Sequence, residues 1–330
     1  MKKELSELKI LVSRDIPEIG LNLLRQKGCE LKVQSSDNPF SPEEFKNASQ
    51  WADVVLASSK EKITEDFLDA NPQLLMLSQY SAGYDNVDVE ACNKRKLPVG
   101  HTPQAMNRAT SDIAFGLMIA TARNFFQMHK KLVKGEIEGF KPRANLGQEL
   151  NGKTLGIFGL GAIGFEMAKK CKMAYDMNII YCNRSENQNA KMGLNATLVS
   201  FDELLKSSDV LSVHSNLSEQ THQIFNADAF TKMKSTSIFI NTSRGKVHDE
   251  TALIQALKNG DIWGAGLDVA DPEPMKTDNP LLNMPNVCVL PHIGSATVEA
   301  RDEMSRLSAE NIIQYFEKGK MIHCVNPEVL

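Results

Sequence analysis

Residues 154–164 read Thr-Leu-Gly-Ile-Phe-Gly-Leu-Gly-Ala-Ile-Gly, a hydrophobic run that leads directly into the pattern G-x-G-x-x-G. Gly159 permits a tight turn, Gly161 lets the backbone approach a pyrophosphate, and Gly164 permits close packing of the next helix on the strand. That helix, expected over Phe165–Met173, offers free N–H groups to an anion at its N-terminus. Strand, turn and helix together predict a dinucleotide-binding Rossmann unit rather than a purely structural turn. The expected cofactor contacts of the turn are Gly159, Leu160, Gly161, Ala162, Ile163 and Gly164.

The end of the next predicted strand bears on which nicotinamide dinucleotide is bound. An NAD enzyme usually has Asp or Glu there, about 20 residues beyond the glycines, to accept hydrogen bonds from the ribose. This chain has Asn183, followed by Arg184 and Ser185. Arg184 could pair with a 2′-phosphate and Ser185 could donate a hydrogen bond to it, whereas a carboxylate would repel it. The three residues are expected cofactor contacts, and they favour NADP(H) over NAD(H). The alternative is that Arg184 is a solvated loop cation, and nearby Glu186 is an opposing charge.

The composition excludes several classes of function. The 330 residues are 42% hydrophobic and 24% charged, which is ordinary for a soluble protein of two domains. A net charge of -4 without a long basic run argues against nucleic acid or an anionic membrane as a partner. The six cysteines are scattered and form no C-x-x-C pair, so we expect neither a metal site nor a disulfide framework. The charged N-terminus and the lack of a long apolar run predict a cytoplasmic protein.

Apolar, β-rich runs alternate with helical stretches along most of the chain, which predicts parallel sheets covered by helices. One long helix of about 30 residues, Gln104–Leu132, would span about 45 Å and is expected to cross between two domains. Two further helices are expected over Pro17–Lys27 and Val298–Gly319. The expected strands are Lys9–Ser13, Leu31–Gln34, Val54–Ala57, Leu74–Ser78, Thr154–Phe158, Asn178–Cys182, Val210–His214, Ser237–Asn241, Gly264–Val269 and Val287–Leu290.

Polar residues follow the late strands, at the sheet edge where open α/β sheets bind ligands. A protonated histidine, His292, can donate a proton to the oxygen of a carbonyl group that accepts a hydride. A carboxylate such as Glu273 can hold the imidazole ring and favour its charged form. An arginine such as Arg244 can bind a substrate carboxylate and polarise a ketone. Taken singly, each residue could be structural, and Asp268 could be a strand-end cap, but together they predict a catalytic site.

The chain resembles the D-2-hydroxyacid dehydrogenases and, within them, the glyoxylate/hydroxypyruvate reductases. The likeness extends over nearly the whole chain, and as a set the matching motifs are highly specific. They are Tyr80–Asn86, Arg108–Phe115, Gly159–Gly164, Asn241–Val247, Gly264–Val269, Pro291–Ser295 and the ending Val325–Leu330.

The resemblance implies a fold and a reaction. The fold is α/β, with two Rossmann-like, doubly wound parallel-sheet domains. A dinucleotide-binding domain over residues 104–292 is inserted into a flavodoxin-like substrate domain formed by residues 1–103 and 293–330. The reaction is the NAD(P)H-dependent reduction of small 2-keto acids, such as glyoxylate and hydroxypyruvate, to D-2-hydroxy acids. The family is usually dimeric, so a homodimer is expected.

The resemblance also implies roles for single residues. Arg244, Glu273 and His292 would be the catalytic trio. The cofactor would be approached by Thr110, His214, Thr242, Ser243, Asp268 and His292. The substrate would be bound by Lys60, Ala82, Gly83, Arg244 and Ser295, with the backbone amides of Ala82 and Gly83 holding its carboxylate. Lys60 could equally be a surface lysine, and His214 a strand-end histidine without a ligand.

Two departures from the family pattern matter. The connection after Gly135 lacks a tryptophan that some reductases place near a partner's active site, so the resemblance does not define the substrate preference. His101-Thr-Pro103 stands where Asn-Thr-Pro is more usual. A D-lactate-type or phosphoglycerate-type dehydrogenase that uses NAD is the alternative enzyme. A dinucleotide-sensing scaffold like the C-terminal-binding-protein co-repressors is the alternative outside enzymes, since they share the fold.

Overall fold

The computed structural model describes residues 3–35 and 39–330, which form two compact units. The first comprises Met1–Met106 and Ala296–Leu330, and the second comprises Asn107–Ser295. The second unit is therefore inserted, in sequence, between two segments of the first. The domain boundaries expected after residues 103 and 292 stay a prediction.

The first unit is built on a five-stranded sheet in which each pair of neighbouring strands is parallel. Its strand order, β2-β1-β3-β4-β5, is that of flavodoxin-like folds. The strands are β1 (Lys9–Val12), β2 (Glu30–Val33), β3 (Val54–Ala57), β4 (Met76–Gln79) and β5 (Val99–Gly100).

The described residues of this unit form the α-helices α1 (Glu18–Gln26), α2 (Pro42–Ser49), α3 (Glu65–Asp69), α4 (Val89–Lys94) and, from the C-terminal segment, α12 (Val298–Lys318). α12 packs closely on α1. The approach is so close that a Cβ atom on Gly20 of α1 would lie only 2.2 Å from the carbonyl oxygen of Ser305 on α12. The Ser305 hydroxyl donates to the carbonyl of Pro17 and accepts from the Gly20 amide. The C-terminal helix is thus fastened to the first βα unit of the chain.

The second unit contains a seven-stranded parallel sheet in the order β12-β11-β10-β9-β6-β7-β8. Its strands are β6 (Thr154–Phe158), β7 (Asn178–Cys182), β8 (Thr197–Leu198), β9 (Val210–Val213), β10 (Ile238–Asn241), β11 (Gly264–Leu267) and β12 (Val287–Val289). The strand order reverses between β6 and β9, and ligands bind at such a switch point, beyond the carboxyl ends of the strands.

The helices of the second unit are α5 (Asn107–Ala122), α6 (Phe125–Val133), α7 (Ala162–Tyr175), α8 (Gln188–Leu194), α9 (Phe201–Ser207), α10 (Ala227–Lys232) and α11 (Glu250–Asn259). Two apolar clusters lie in this unit, one containing Leu117, Ile157 and Tyr181, the other Phe225, Phe230 and Phe239. Strands β9, β10 and β11 are buried along their whole length. Their apolar runs therefore identify them in the sequence better than any alternation would.

The expected fold class, two parallel-sheet α/β domains, is confirmed. The single helix expected over Gln104–Leu132 is wrong. The chain forms α5 and α6 instead, and both lie in the second unit. Asn124, between them, adopts a left-handed conformation with φ of +52°, which asparagine tolerates better than most residues and which interrupts the helix. Two strands of only two residues, β5 and β8, were not expected.

Within the described part of the chain, no helix combines the length and apolar character needed to cross a membrane. The cytoplasmic location stays a prediction.

Candidate active site

The glycine turn joins β6 to α7 at the carboxyl edge of the second unit's sheet. Gly159 has a φ of +93°, and a Cβ atom there would lie 2.7 Å from the amide nitrogen of Ser215. At Gly164 a Cβ atom would lie 2.8 Å from the Gly159 carbonyl oxygen, so this position also requires glycine. A Cβ on Gly161, by contrast, would meet nothing within 4 Å. The open face at Gly161, just before α7, fits the close approach of a pyrophosphate.

Asn183 acts on the turn itself. Its Oδ1 accepts a hydrogen bond from the Leu160 amide at 2.7 Å, and its Nδ2 donates to the Leu160 carbonyl at 3.3 Å. The Nδ2 of Asn187 donates to the same carbonyl at 3.1 Å. Asn187 was not among the expected site residues, because the sequence does not reveal which backbone group the side chain of an asparagine in a polar loop will bind.

The two residues after Asn183 are exposed. Arg184 has no ion pair with any residue in the described ranges, and Ser185 is also open to solvent. The neighbouring Glu186 is engaged elsewhere, because its carboxylate binds Lys191 at 2.9 Å and accepts from Gln188 at 2.7 Å. Its negative charge is thus partly neutralised beside the expected 2′-phosphate position.

His214 follows β9 directly behind the glycine turn. Its backbone carbonyl carbon would lie 2.9 Å from a Cβ on Gly159, and its Nε2 shares a hydrogen bond of 2.8 Å with the Ser212 hydroxyl. Burial lowers the pKa of His214 to about 4, so the ring is neutral at physiological pH. It can form a wall of the cofactor site but brings no positive charge to it.

The loop after β10 is organised by Asn241, a fully buried residue. Its Oδ1 accepts from the amide and the hydroxyl of Ser243, and its Nδ2 donates to the Arg244 carbonyl and shares a hydrogen bond with Nδ1 of His248. Arg244 Nη1 in turn donates to the Ser243 carbonyl at 2.8 Å. The Thr242 hydroxyl oxygen is buried and has no hydrogen-bond partner in residues 3–35 and 39–330, which fits a site that a bound ligand would complete.

The Arg244 loop touches the loop that carries Glu273. A Cβ on Gly245 would lie only 2.2 Å from the carbonyl of Ala270, so the two backbones are in direct contact. Glu273 Oε1 accepts from the Ala270 amide at 3.3 Å, and Oε2 lies 2.8 Å from Nδ1 of His292. The structure thus connects Arg244, Glu273 and His292 through adjoining loops.

The His292–Glu273 pair has a definite proton arrangement. Since a carboxylate only accepts, Nδ1 of His292 donates to it, and Nε2 is the ring nitrogen left to face a reactant. The His292 side chain is 36% exposed, so a small molecule can reach it. His292 also has a φ of +58°, a conformation that non-glycine residues rarely adopt and that clusters at functional sites.

Asp268 fixes the segment after His292. Its two carboxylate oxygens accept from the amides of Ile293 at 2.8 Å and Gly294 at 2.7 Å, and the residue is almost fully buried. Burial raises the pKa of Asp268, while the two backbone hydrogen bonds act in the opposite direction. Thr110 donates from its hydroxyl to the Gly294 carbonyl at 3.1 Å. Asp268 and Thr110 thus lie next to the expected site, and their side chains hold the backbone of Ile293 and Gly294 there.

Three expected substrate residues lie in the first unit. Ala82 and Gly83 are half-buried in the loop after β4, and Lys60 is exposed in the turn after β3. All three therefore lie beyond the carboxyl ends of parallel strands.

No group of three or more His, Cys, Asp or Glu residues placed to hold a metal ion is found among the described residues.

A protein-family model and several curated or solved proteins match this chain. The family model described as D-isomer specific 2-hydroxyacid dehydrogenase, NAD binding domain, matches residues 115–294. The chain belongs to this family. The match covers most of the second unit, including the glycine turn, Arg244, Glu273 and His292, so the second unit carries the family's NAD-binding domain.

Full-length relatives extend the likeness to the whole chain. The chain is 38% identical to glyoxylate/hydroxypyruvate reductase B of Escherichia fergusonii, over 97% of this chain and 98% of that protein. A crystal structure of a glyoxylate reductase from Paecilomyes thermophila superposes with a TM-score of 0.86 at 34% identity, over 97% of this chain and 98% of that one. An NADPH-dependent glyoxylate/hydroxypyruvate reductase from Sinorhizobium meliloti, in complex with NADP and malonate, gives a TM-score of 0.84 at 31% identity over 96% of each chain. The expected family membership is confirmed.

Proposed function

We propose that this protein reduces small 2-keto acids to D-2-hydroxy acids, with a hydride from a nicotinamide dinucleotide and a proton from His292. The observation that carries the proposal is the 2.8 Å contact between His292 Nδ1 and the Glu273 carboxylate, which leaves Nε2 to serve as the acid. Glyoxylate and hydroxypyruvate are the proposed substrates, because they are named for the relatives that match this chain over nearly its full length.

In the proposed reaction, each step is assigned to a particular group. The reduced nicotinamide, when bound, supplies the hydride to the keto carbon. Arg244 binds the substrate carboxylate and polarises the carbonyl group, so that charge developing on the oxygen meets a cation. His292 Nε2 gives that oxygen its proton, and Glu273 stabilises the imidazolium form from which the proton leaves. The amides of Ala82 and Gly83 are proposed as further donors to the carboxylate, with Lys60 and Ser295 as additional substrate contacts.

Steady-state oxidation of NADPH and of NADH, with glyoxylate and hydroxypyruvate, tests this function. We expect turnover by the unmodified protein and a loss of about 10²–10⁴ in kcat for His292→Ala, because an acid catalyst is removed. Binding of the dinucleotide, followed by fluorescence quenching, should be nearly unchanged in that variant. His222→Ala, which removes an exposed histidine elsewhere in the second unit, is the matched control. Dinucleotide binding without turnover of any 2-keto acid would instead favour a sensing scaffold.

We propose NADP(H) as the preferred cofactor, supported by the exposed Arg184 and Ser185 at the end of β7 and by the absence of a carboxylate at Asn183. Arg184→Ala should lower kcat/KM with NADPH by about 10–100-fold, since a charge-assisted hydrogen bond to a phosphate contributes about 1.5–3 kcal/mol. The values with NADH should hardly change and serve as the internal control. Lys206→Ala, an exposed cation on α9, controls for net charge. An equal loss with both dinucleotides would contradict the assignment.

We also propose that the protein forms a homodimer, because large apolar side chains of α6 and the following connection are exposed to solvent.

A further inference from the structure

We propose that His101 is a positioning residue for the substrate carboxylate: its imidazole fixes the Ala82–Gly83 peptide so that the Gly83 amide is presented as a hydrogen-bond donor. This inference rests on the proposed function, in which the Ala82 and Gly83 amides bind the carboxylate. It assigns a task to a residue where the chain departs from the family's usual Asn-Thr-Pro sequence.

The direct contact is between His101 and the backbone of Ala82. Nδ1 of His101 lies 2.9 Å from the Ala82 carbonyl oxygen. A carbonyl oxygen only accepts, so the imidazole carries a hydrogen on Nδ1 and donates it. The carbonyl of Ala82 and the N–H of Gly83 belong to one planar trans peptide, and they point in opposite directions. Holding the carbonyl therefore sets the direction of the Gly83 N–H.

The neighbouring peptide is held in the same way. The Ser81 carbonyl accepts from the Thr102 amide at 2.9 Å, which sets the direction of the Ala82 N–H. The Gly83 carbonyl accepts from the Ser81 hydroxyl at 2.7 Å. The amides of Ala82 and Gly83, in contrast, have no acceptor among the described residues. A loop whose carbonyls are occupied and whose adjacent N–H groups are unpaired offers those N–H groups to an anion.

His101 is itself held in place through its main chain and its ring. The backbone N–H of His101 donates to the His323 carbonyl at 3.3 Å, and the His101 carbonyl accepts from Nδ2 of Asn311 on α12 at 2.9 Å. The rings of Tyr84 and His323 meet the imidazole edge-to-face, at centroid distances of 5.6 Å and 6.2 Å. The donor is thus preorganised, and a fixed donor loses less entropy when a ligand binds than a mobile one.

Asparagine could supply the same donor. In histidine and in asparagine, the donating nitrogen, Nδ1 or Nδ2, is bonded directly to Cγ. His101→Asn can therefore place an N–H close to the present position of Nδ1, whereas leucine has nearly the shape of asparagine but no donor. The two substitutions differ in the hydrogen bond and little else, which makes them a matched pair.

The experiment compares the unmodified protein, His101→Asn and His101→Leu. KM for glyoxylate, KM for NADPH and kcat are measured for each, and Kd for malonate is measured by calorimetry on the NADP-loaded proteins. We expect His101→Leu to raise KM for glyoxylate and Kd for malonate by about tenfold, the effect of weakening a hydrogen bond to a charged group. KM for NADPH should stay unchanged, and His101→Asn should recover most of the lost affinity. His222→Leu controls for a histidine removed from the surface.

The outcomes separate the inference from the proposed function. Equal losses in the Asn and Leu variants, or no loss in either, would overturn the role of His101. If the unmodified protein reduces no 2-keto acid, the proposed function fails, and the malonate titration then decides the inference through the same contrast. If the unmodified protein does not bind malonate either, the inference fails too. If His101→Leu does not fold, His101→Ala replaces it as the variant without a donor.

Discussion

His248 shows how far one buried residue can influence the stability of the second unit. It lies behind the Arg244 loop, where its Nδ1 shares a hydrogen bond with the Asn241 side chain and its ring packs on Phe239. Burial lowers the pKa of His248 to about 4, from an ordinary value of 6.5. The unfolded chain therefore binds a proton on this histidine at a higher pH than the folded chain does. The stability that the neutral ring contributes is fully present above pH 6.5 and is lost as the pH falls from there toward 4.

The expected size of this effect can be measured. Between pH 7 and pH 5, titration of His248 should lower the free energy of unfolding by about 2 kcal/mol. Trp51→Phe leaves Trp263 as the single tryptophan, so fluorescence then reports the second unit alone. In that background, the fall in the free energy of unfolding between pH 7 and pH 5 should be about 2 kcal/mol smaller in His248→Leu than in the parent protein. This comparison does not depend on how the substitution changes stability at pH 7. His222→Leu, which removes an exposed histidine, should leave the sensitivity unchanged. An unaltered pH dependence in His248→Leu would mean that the histidine titrates alike in both states.

At the scale of elements, the contact between the loops after β10 and β11 joins the proposed catalytic residues. Gly245 provides the contact, because a side chain there would collide with the Ala270 backbone, and Ala270 in turn binds Glu273. Gly245→Ala should force the loops apart and lower kcat by about 100-fold, the cost of a shift near 1 Å in a catalytic group. Gly193→Ala, on α8 with no atom within 4 Å of the added Cβ, should keep its kcat and gain about 0.5–1 kcal/mol of stability. Normal turnover by Gly245→Ala would contradict the argument.

The elements also explain what the sequence could and could not predict. Strands β3, β6 and β7 lie where their apolar runs predicted them. β3 and nearly all of β6 are buried, and strands buried on both faces are hydrophobic throughout, whereas burial in β7 alternates along the strand. The break between α5 and α6 at Asn124 could not be predicted. The apolar pattern continues through both helices, and the break depends on the backbone conformation of a single residue. Asn241 and Asp268 lay inside quoted motifs, yet their hydrogen bonds to loop amides depend on how neighbouring loops fold. Periodicity carries no information about such loop contacts.

At the scale of the whole molecule, the proposed homodimer depends on a segment that the fold leaves uncovered. Six large apolar side chains within residues 125–146 are exposed: Phe125 by 52%, Leu132 by 67%, Val133 by 74%, Ile137 by 40%, Phe140 by 93% and Leu146 by 63%. Residues 136–149 contain no helix or strand, and a connection of that length in a compact domain usually has a function. A twofold axis would bring the same segment of each protomer to one interface and bury these side chains.

Light scattering after size exclusion tests the dimer directly. The unmodified protein should have twice its chain mass of 36.6 kDa. The double variant Val133→Asp, Phe140→Asp should dissociate as it is diluted, with a dissociation constant raised about 1,000-fold, since a charge replaces an apolar contact of about 2 kcal/mol at each of the two positions. Met192→Asp is the matched control, because Met192 is 85% exposed on α8, outside the segment. A monomer mass for the unmodified protein would exclude the dimer. If the double variant associates as tightly as the control, the dimer interface must lie on another surface.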